Sequence, residues 1–339
     1  MLKSSRILKE FGPEGFKVRE TVARIPSLDR HGLSYGWKPD IFCLRIDADE
    51  YTPDSFNPYY SVFERYMGAI TIFFNINSFK DAKEHILRCR DMGIDIQSHA
   101  FYHHTYRDYA SNRYNISKAK IFFQEIGINT TGFAAPLGRW NASFMKALED
   151  EGYKYSSDFS YDYMGFPSFP FEQGKYSSVM QIPIFPVAPE LFFQDKCSNP
   201  EVIENYYKNA IDELIRCHLP VIIYAHTNPT TPEVMPLLLK ITDYAVECRG
   251  LRPVSMTDFF QMWSGIITTE KTSKQKASAD SVPGEAFLGR TVEKGIPEKV
   301  KDFLKNELDF ERVTPAEDLK CNVSKRMLKI LARMVLQGS

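Results

Sequence analysis

Ile41-Phe-Cys-Leu-Arg45-Ile-Asp47-Ala-Asp49-Glu50 begins as an apolar run and ends on acids. Its length and apolar content are those of a buried strand, and alternation places Arg45, Asp47 and Asp49 on one face. In a parallel barrel the C-terminal strand ends are where the active site gathers, so acids just after a strand are candidates for chemistry. Further runs follow at Ala69 to Phe74, Ile94 to Gln97, Gly132 to Ala135, Met180 to Phe185, Pro220 to Tyr224 and Arg252 to Ser255. Helical periodicity falls between them, over Ala82 to Cys89, Lys118 to Ile126, Ser143 to Glu151, Glu201 to Cys217 and Pro236 to Cys248. Strands and helices in alternation give an α/β fold with a parallel sheet. The span 41–263 is barrel-sized, so the expected architecture is a (β/α) barrel of seven or eight parallel strands, with an open doubly wound sheet as the alternative rhythm.

On either side of this span the composition changes. Residues 1–40 form an N-terminal extension in which Lys3, Arg6, Lys9 and Glu10 interrupt every apolar step, so no secretory signal is expected. A polar stretch over 264–284 predicts a linker, and 285–339 a helical C-terminal extension. Within it, 323–336 sets Lys325, Lys329 and Arg333 beside Met327, Ile330, Leu331 and Met334, a basic amphipathic helix suited to packing on the barrel or to peripheral contact with an anionic membrane. No run is long enough to span a bilayer. The six cysteines form no CxxC pair, and the expected compartment is the cytoplasm, at most peripheral to the inner membrane face. The Asn-x-Ser/Thr triplets at Asn115, Asn129, Asn141 and Asn322 then read as chance matches. With 42 basic against 43 acidic residues among 339, nothing draws the chain to nucleic acid.

Two more clusters join the acids at predicted strand ends. Ser98-His99-Ala-Phe-Tyr-His103-His104 follows the third strand and holds three of the seven histidines. His99 and His103, four apart, meet on one helical turn or in a compact loop, and imidazole is a common metal ligand. Satisfied structural histidines are the bland alternative, with Tyr102 and His104 as packing or rim residues. No Glu follows His99, so the H-E-x-x-H motif is absent. Val221-Ile-Ile-Tyr-Ala-His226 is a buried strand ending in a third imidazole. Together the clusters supply what metal-assisted hydrolysis needs: an acidic ligand, two imidazoles, a second carboxylate as base and a proton donor.

These clusters, in this order over about Ile41 to Trp263, resemble the polysaccharide deacetylase (NodB-homology, carbohydrate esterase 4) superfamily. Leu44-Arg-Ile-Asp-Ala-Asp49 and His99-Ala-Phe-Tyr-His-His104 resemble the branch with the undecaprenyl-phosphate formamido-arabinose deformylase, as do Phe133-Ala-Ala-Pro136, Tyr155-Ser-Ser-Asp158 and Gln181-Ile-Pro183. The resemblance implies a distorted (β/α) barrel with one divalent metal, by default zinc, with cobalt, nickel or manganese compatible. It implies Asp47 as catalytic base, Asp49, His99 and His103 as metal ligands, and His226 as general acid. Asp158 matches the acid that orients that histidine. The family's third motif usually begins with an arginine that pairs with the base; this chain has Ala134 there, and Arg45 or Arg139 are the candidates to replace it. A backbone N–H near Leu137 would hold the oxyanion.

The expected function is thus a metal-dependent amide hydrolase, foremost an N-deacetylase of an amino sugar in a bacterial glycan or a nucleotide- or lipid-linked precursor. A deformylase of a lipid-linked formamido sugar, a hydrolase of small cyclic amides and a non-catalytic carbohydrate-binding protein are the alternatives. Aromatic residues near the clusters (Tyr51, Phe56, Tyr59, Tyr60, Phe101, Tyr102, Trp140, Tyr161 and Tyr163) suit sugar stacking or packing.

Overall fold

The structure is a computed structural model that describes residues 40–264, apart from 139–140, 159–166, 168, 170, 173–174, 186–187, 191–199 and 217–218. The predicted extensions, the linker beyond Ser264 and the basic helix over 323–336 lie outside the described residues, as do Arg139, Trp140, Tyr161 and Tyr163.

Among the described residues there are ten strands: β1 (Ile41–Ala48), β2 (Ile70–Phe74), β3 (Asp95–Ser98), β4 (Gly132–Phe133), β5 (Tyr155–Asp158), β6 (Phe171–Glu172), β7 (Lys175–Tyr176), β8 (Met180–Pro183), β9 (Val221–His226) and β10 (Arg252–Pro253). Seven of them run β9-β1-β2-β3-β4-β5-β8, all parallel, and β10 pairs with the start of β1. Phe185 N–H donates to Ile222 O at 2.9 Å, which draws the β8 end toward β9. The sheet is therefore a nearly closed barrel, as the alternation of strands and helices predicts. Helices that cover it are α1 (Lys83–Asp91), α2 (Tyr109–Glu125), α3 (Ala142–Asp150), α4 (Pro200–Arg216) and α5 (Thr231–Asp243).

The core divides as alternation dictates. Leu44, Ile46, Ile72, Phe74 and Ile223 face outward and pack under the helices, where Phe56, Tyr59 and Tyr60 are also buried. These three aromatics are packing residues, not sugar platforms. Cys43, Phe73, Tyr155, Ile182 and Tyr224 face the barrel interior with Met256, Phe259 and Trp263. The helical segment 256–264 closes the N-terminal mouth: Met256 N–H donates to Thr71 Oγ1, and Thr257 Oγ1 to Asp95, both residues lying at strand starts. The opposite, C-terminal mouth is left for chemistry.

Element boundaries differ from the sequence reading where polar residues carry the structure. β5, Tyr-Ser-Ser-Asp, lacks an apolar run yet is wholly buried, and Phe171–Glu172 pairs antiparallel with Lys175–Tyr176 as an added hairpin. α2 starts at Tyr109 rather than Lys118, because Asp108 caps it by accepting from Ser111 N–H. α5 starts at Thr231, with Pro236 inside it; Pro232 occupies the first turn, where a missing N–H costs nothing.

Candidate metal centre and its acid–base pair

Register brings the three clusters together. In the parallel pairing of β1 with β9, Asp47 lies opposite His226, and on the other side Ala48 lies opposite Phe74. Phe74 in turn lies opposite Ser98, so His99 emerges one residue beyond β3 at the same level. Thr227 stitches the β1 and β9 ends: its N–H donates to Asp47 O at 3.0 Å and its hydroxyl to Glu50 O at 2.6 Å.

Asp49, His99 and His103 converge. His99 Nε2 lies 3.0 Å and His103 Nε2 3.3 Å from Asp49 Oδ1, and the two Nε2 atoms are 3.0 Å apart. His99 Nδ1 is 2.8 Å from the Ala134 carbonyl, which can only accept, so the ring proton sits on Nδ1 and the Nε2 lone pair faces the cluster. Asp49 Oδ1 is buried there without a hydrogen-bond donor. Three electron-rich atoms pointed at one another are reconciled by a cation. One carboxylate oxygen and two imidazole nitrogens form a donor set that fits a divalent transition metal with coordination positions to spare. Burial works against charge on His99, but Asp47 and Asp49 outweigh it and raise its pKa. Burial likewise opposes ionisation of Asp49, and the adjoining His103 and His99 imidazoles overcome it to hold the carboxyl well below the usual range.

Asp47 is kept ionised beside this cluster. Arg45, two residues earlier on the same face of β1, grips it bidentately, Nε to Oδ1 at 2.7 Å and a terminal nitrogen to Oδ2 at 2.6 Å. Burial would raise the Asp47 pKa, but Arg45, with His99 and His226, lowers it. The guanidinium also donates to Ser157 O and to Ser157 Oγ, and lies between the Phe73 and Tyr224 rings, 5.1 and 5.8 Å from their centroids. Of the two arginines considered for the place left by Ala134, Arg45 pairs with Asp47, and Arg139 lies outside the described residues.

His226 faces Asp47 across the mouth, Nε2 to Oδ2 at 3.9 Å. Its Nδ1 bonds the carboxylate of Glu190, a buried residue beyond β8, and Tyr59 Oη donates to its carbonyl at 2.9 Å. Burial disfavours the imidazolium, yet Glu190, with Asp49 and Asp47 behind it, lifts the pKa to about 9. The residue matched to orient His226 was Asp158, and the structure differs. Asp158 accepts from Ala135 N–H at 2.7 Å and from the Ser156 hydroxyl, so it braces the turn after β4. At the end of β5 both oxygens of that carboxylate are engaged, and the group that bonds His226 Nδ1 is Glu190. Glu190 escaped notice because it sits in no motif. Its one signal was a lone acid in Ile184-Phe-Pro-Val-Ala-Pro-Glu190, an apolar stretch in which a charge needs a partner.

The turn itself holds Leu137 at φ 60°, half exposed at the rim. Ala135 N–H is committed to Asp158, Pro136 has none, and Gly138 N–H donates to Ala135 O. Among the described residues, the Leu137 N–H is the donor this turn leaves uncommitted.

Residues 41–156 match the family model described as polysaccharide deacetylase, and the barrel is similar in fold to solved structures that include proteins so described. It superposes on a probable polysaccharide deacetylase from Pseudomonas aeruginosa PAO1 with a TM-score of 0.58 at 18% identity, over 70% of this chain and 96% of that one. A putative polysaccharide deacetylase from Mycobacterium smegmatis gives 0.55 at 13%, over 67% and 91%. The PuuE allantoinase gives 0.59 at 17%, over 71% and 96%. No curated protein matches the chain.

Proposed function

We propose that this protein is a metal-dependent amide hydrolase that removes the N-acyl group, foremost acetyl, from an amino sugar. The observation that carries the reading is the meeting of Asp49 Oδ1, His99 Nε2 and His103 Nε2 beside an Arg45-held Asp47 and across from a Glu190-held His226. A divalent cation held by the three ligands supplies Lewis acidity toward a carbonyl oxygen and makes water easier to deprotonate.

The chain's own groups do the rest. Asp47 is ionised and fixed by Arg45, and takes the proton from the attacking water. The Leu137 N–H meets the negative charge that develops on the carbonyl oxygen, a role best filled by a donor already in place. His226, protonated at neutral pH, delivers its Nε2 proton to the departing amine, without which an amide nitrogen leaves poorly. Barrel walls buried from Phe73 to Tyr224 keep bulk water from the Arg45–Asp47 pair.

The test is metal content per chain followed by a panel of N-acetylated and N-formylated amino sugars, free and nucleotide- or lipid-linked, assayed for acetate and formate. About one equivalent of metal, lost in Asp49→Ala combined with His103→Ala, together with acetate release, is the expected result. Formate release alone would assign the deformylase reading, and metal without turnover of any sugar would overturn the substrate class.

A further inference from the structure

The segment that joins His99 to His103 is neither helix nor strand, and Ala100 within it holds φ 67°. Within its own backbone one hydrogen bond brackets the second imidazole, His104 N–H to Tyr102 O at 2.6 Å. The rest of its hold comes from outside. On one side Ile76 and Asn77 donate their N–H groups to Ala100 O and Phe101 O, and Asn75 Nδ2 reaches His99 O and Phe101 O at 3.4 and 3.3 Å. On the other side stands Asn115, 2% exposed on the inner face of α2. Its Oδ1 accepts Tyr102 N–H at 2.7 Å, and its Nδ2 donates to Tyr102 O and to His104 O, each at 2.9 Å. These three bonds take hold of the residues immediately before and after His103.

We propose that Asn115 is a positioning residue of the cation site: its carboxamide clamps the backbone on both sides of His103 and so sets where that imidazole stands relative to His99 and Asp49. The inference rests on the reading of Asp49, His99 and His103 as cation ligands. It also explains the Asn115-Ile-Ser117 triplet, whose amide nitrogen is consumed inside the protein and is closed to glycosylation. A carboxamide suits the task because it offers an acceptor and two donors in one plane, matching an N–H and two carbonyls on adjacent peptides. Groups that orient metal ligands from behind are commonly worth about 10- to 100-fold in metal affinity.

Asn112 provides an internal comparison. It is equally buried on the same helix, three residues away, and makes the same kind of clamp on the N–H and carbonyl of Tyr106, beyond the ligand loop. The experiment titrates Co2+ into the metal-free full chain by calorimetry and records metal-free melting for wild type, Asn115→Ser, Asn115→Ala and Asn112→Ala. Weakening of Co2+ binding by about 10-fold or more in a folded Asn115 variant, with binding unchanged in Asn112→Ala despite a lowered Tm, is the expected result. Wild-type affinity in a folded Asn115 variant overturns the proposal alone and leaves the functional reading standing. Equal weakening in Asn112→Ala and the Asn115 variants overturns it too, since affinity would then follow stability. Failure of both Asn115 variants to fold makes the residue purely structural. A wild-type chain that binds no Co2+ removes the functional reading and this inference with it.

Discussion

His226 and Glu190, 36 positions apart in the chain, form a buried imidazole–carboxylate pair, and the pair leaves His226 Nε2 free to face Asp47 Oδ2 at 3.9 Å. The consequence is a division of labour at the C-terminal mouth: one carboxylate is locked by a permanent cation, Arg45, and the other by a titratable one, His226. Of these two pairs, only the second contains a cation that titrates.

That difference fixes an alkaline limb. The acid acts in its protonated form, and its pKa is raised to about 9, so kcat/KM should hold through neutral pH and fall as pH climbs through about 9. Glu190→Gln removes the main raising influence while keeping the shape. The limb should then move to lower pH, and kcat should lose part of the roughly 100-fold or more that general acid catalysis contributes. A pH profile of both proteins checks this; an unmoved limb would place the titrating acid elsewhere. His226→Ala should lose that full contribution and still bind metal, since none of the three ligands is touched.

The Arg45–Asp47 pair is fully buried, and each partner is stranded without the other. Arg45→Met should destabilise the fold by about 3–5 kcal/mol, the usual result of leaving one buried charge unpaired. Arg45→Met with Asp47→Asn removes both charges and should recover much of that loss, because the desolvation cost disappears with the pair. Urea unfolding of the two single variants and the double variant gives the coupling directly. Additive losses would mean that the two groups do not depend on each other.

How much of this was legible in the sequence follows from which interactions are local. That Asp47, Asp49, His99, His103 and His226 meet at one mouth could be anticipated because strand periodicity and strand-end position are written in short windows around Ile41, Ile94 and Val221. Parallel pairing then brings those windows together without further instruction. The Arg45–Asp47 contact is also local, two residues apart on one face. Glu190 and Asn115 are different. Each acts across the fold on a residue that its own neighbourhood does not announce, and only the closure of β8 toward β9 or the docking of α2 against the ligand loop reveals the partner. Asp158 shows the converse error: a residue beside the right strand end whose carboxylate is already spent on Ala135 N–H. β5 was missed for a related reason, since its burial comes from enclosure by β4 and β8 rather than from apolar residues of its own.

Gly132 tests how tightly the barrel is filled below the site. A Cβ added there would overlap the Tyr155 ring, which Thr257 fixes by a 2.9 Å hydroxyl contact. The backbone is held as well, Gly132 N–H donating to Gln97 Oε1 at 2.6 Å. Gly132→Ala should therefore destabilise by about 1–3 kcal/mol, the range for overpacking, despite the gain usually expected on replacing glycine in a strand. Gly132→Ala with Tyr155→Leu should relieve the overlap, and thermal melts of the set would show it. A fully tolerated single variant would mean that the ring can move aside.

The ligand cluster links stability to metal. Without a metal ion only protonation of the imidazoles can relieve the three facing donor atoms, and the folded state alone assembles them. Metal added at about 100 times its Kd should stabilise the protein by about 2.7 kcal/mol, and the Tm should keep rising with metal concentration. Asp49→Ala combined with His103→Ala should abolish the rise. The same variant should suffer little in the metal-free state, since it dismantles a cluster of facing lone pairs rather than a packed core. Melting wild type and variant with and without Zn2+ separates these effects: a wild-type Tm indifferent to metal would show that the three groups do not form a site, whereas a shift that persists in the variant would locate the ion elsewhere on the chain.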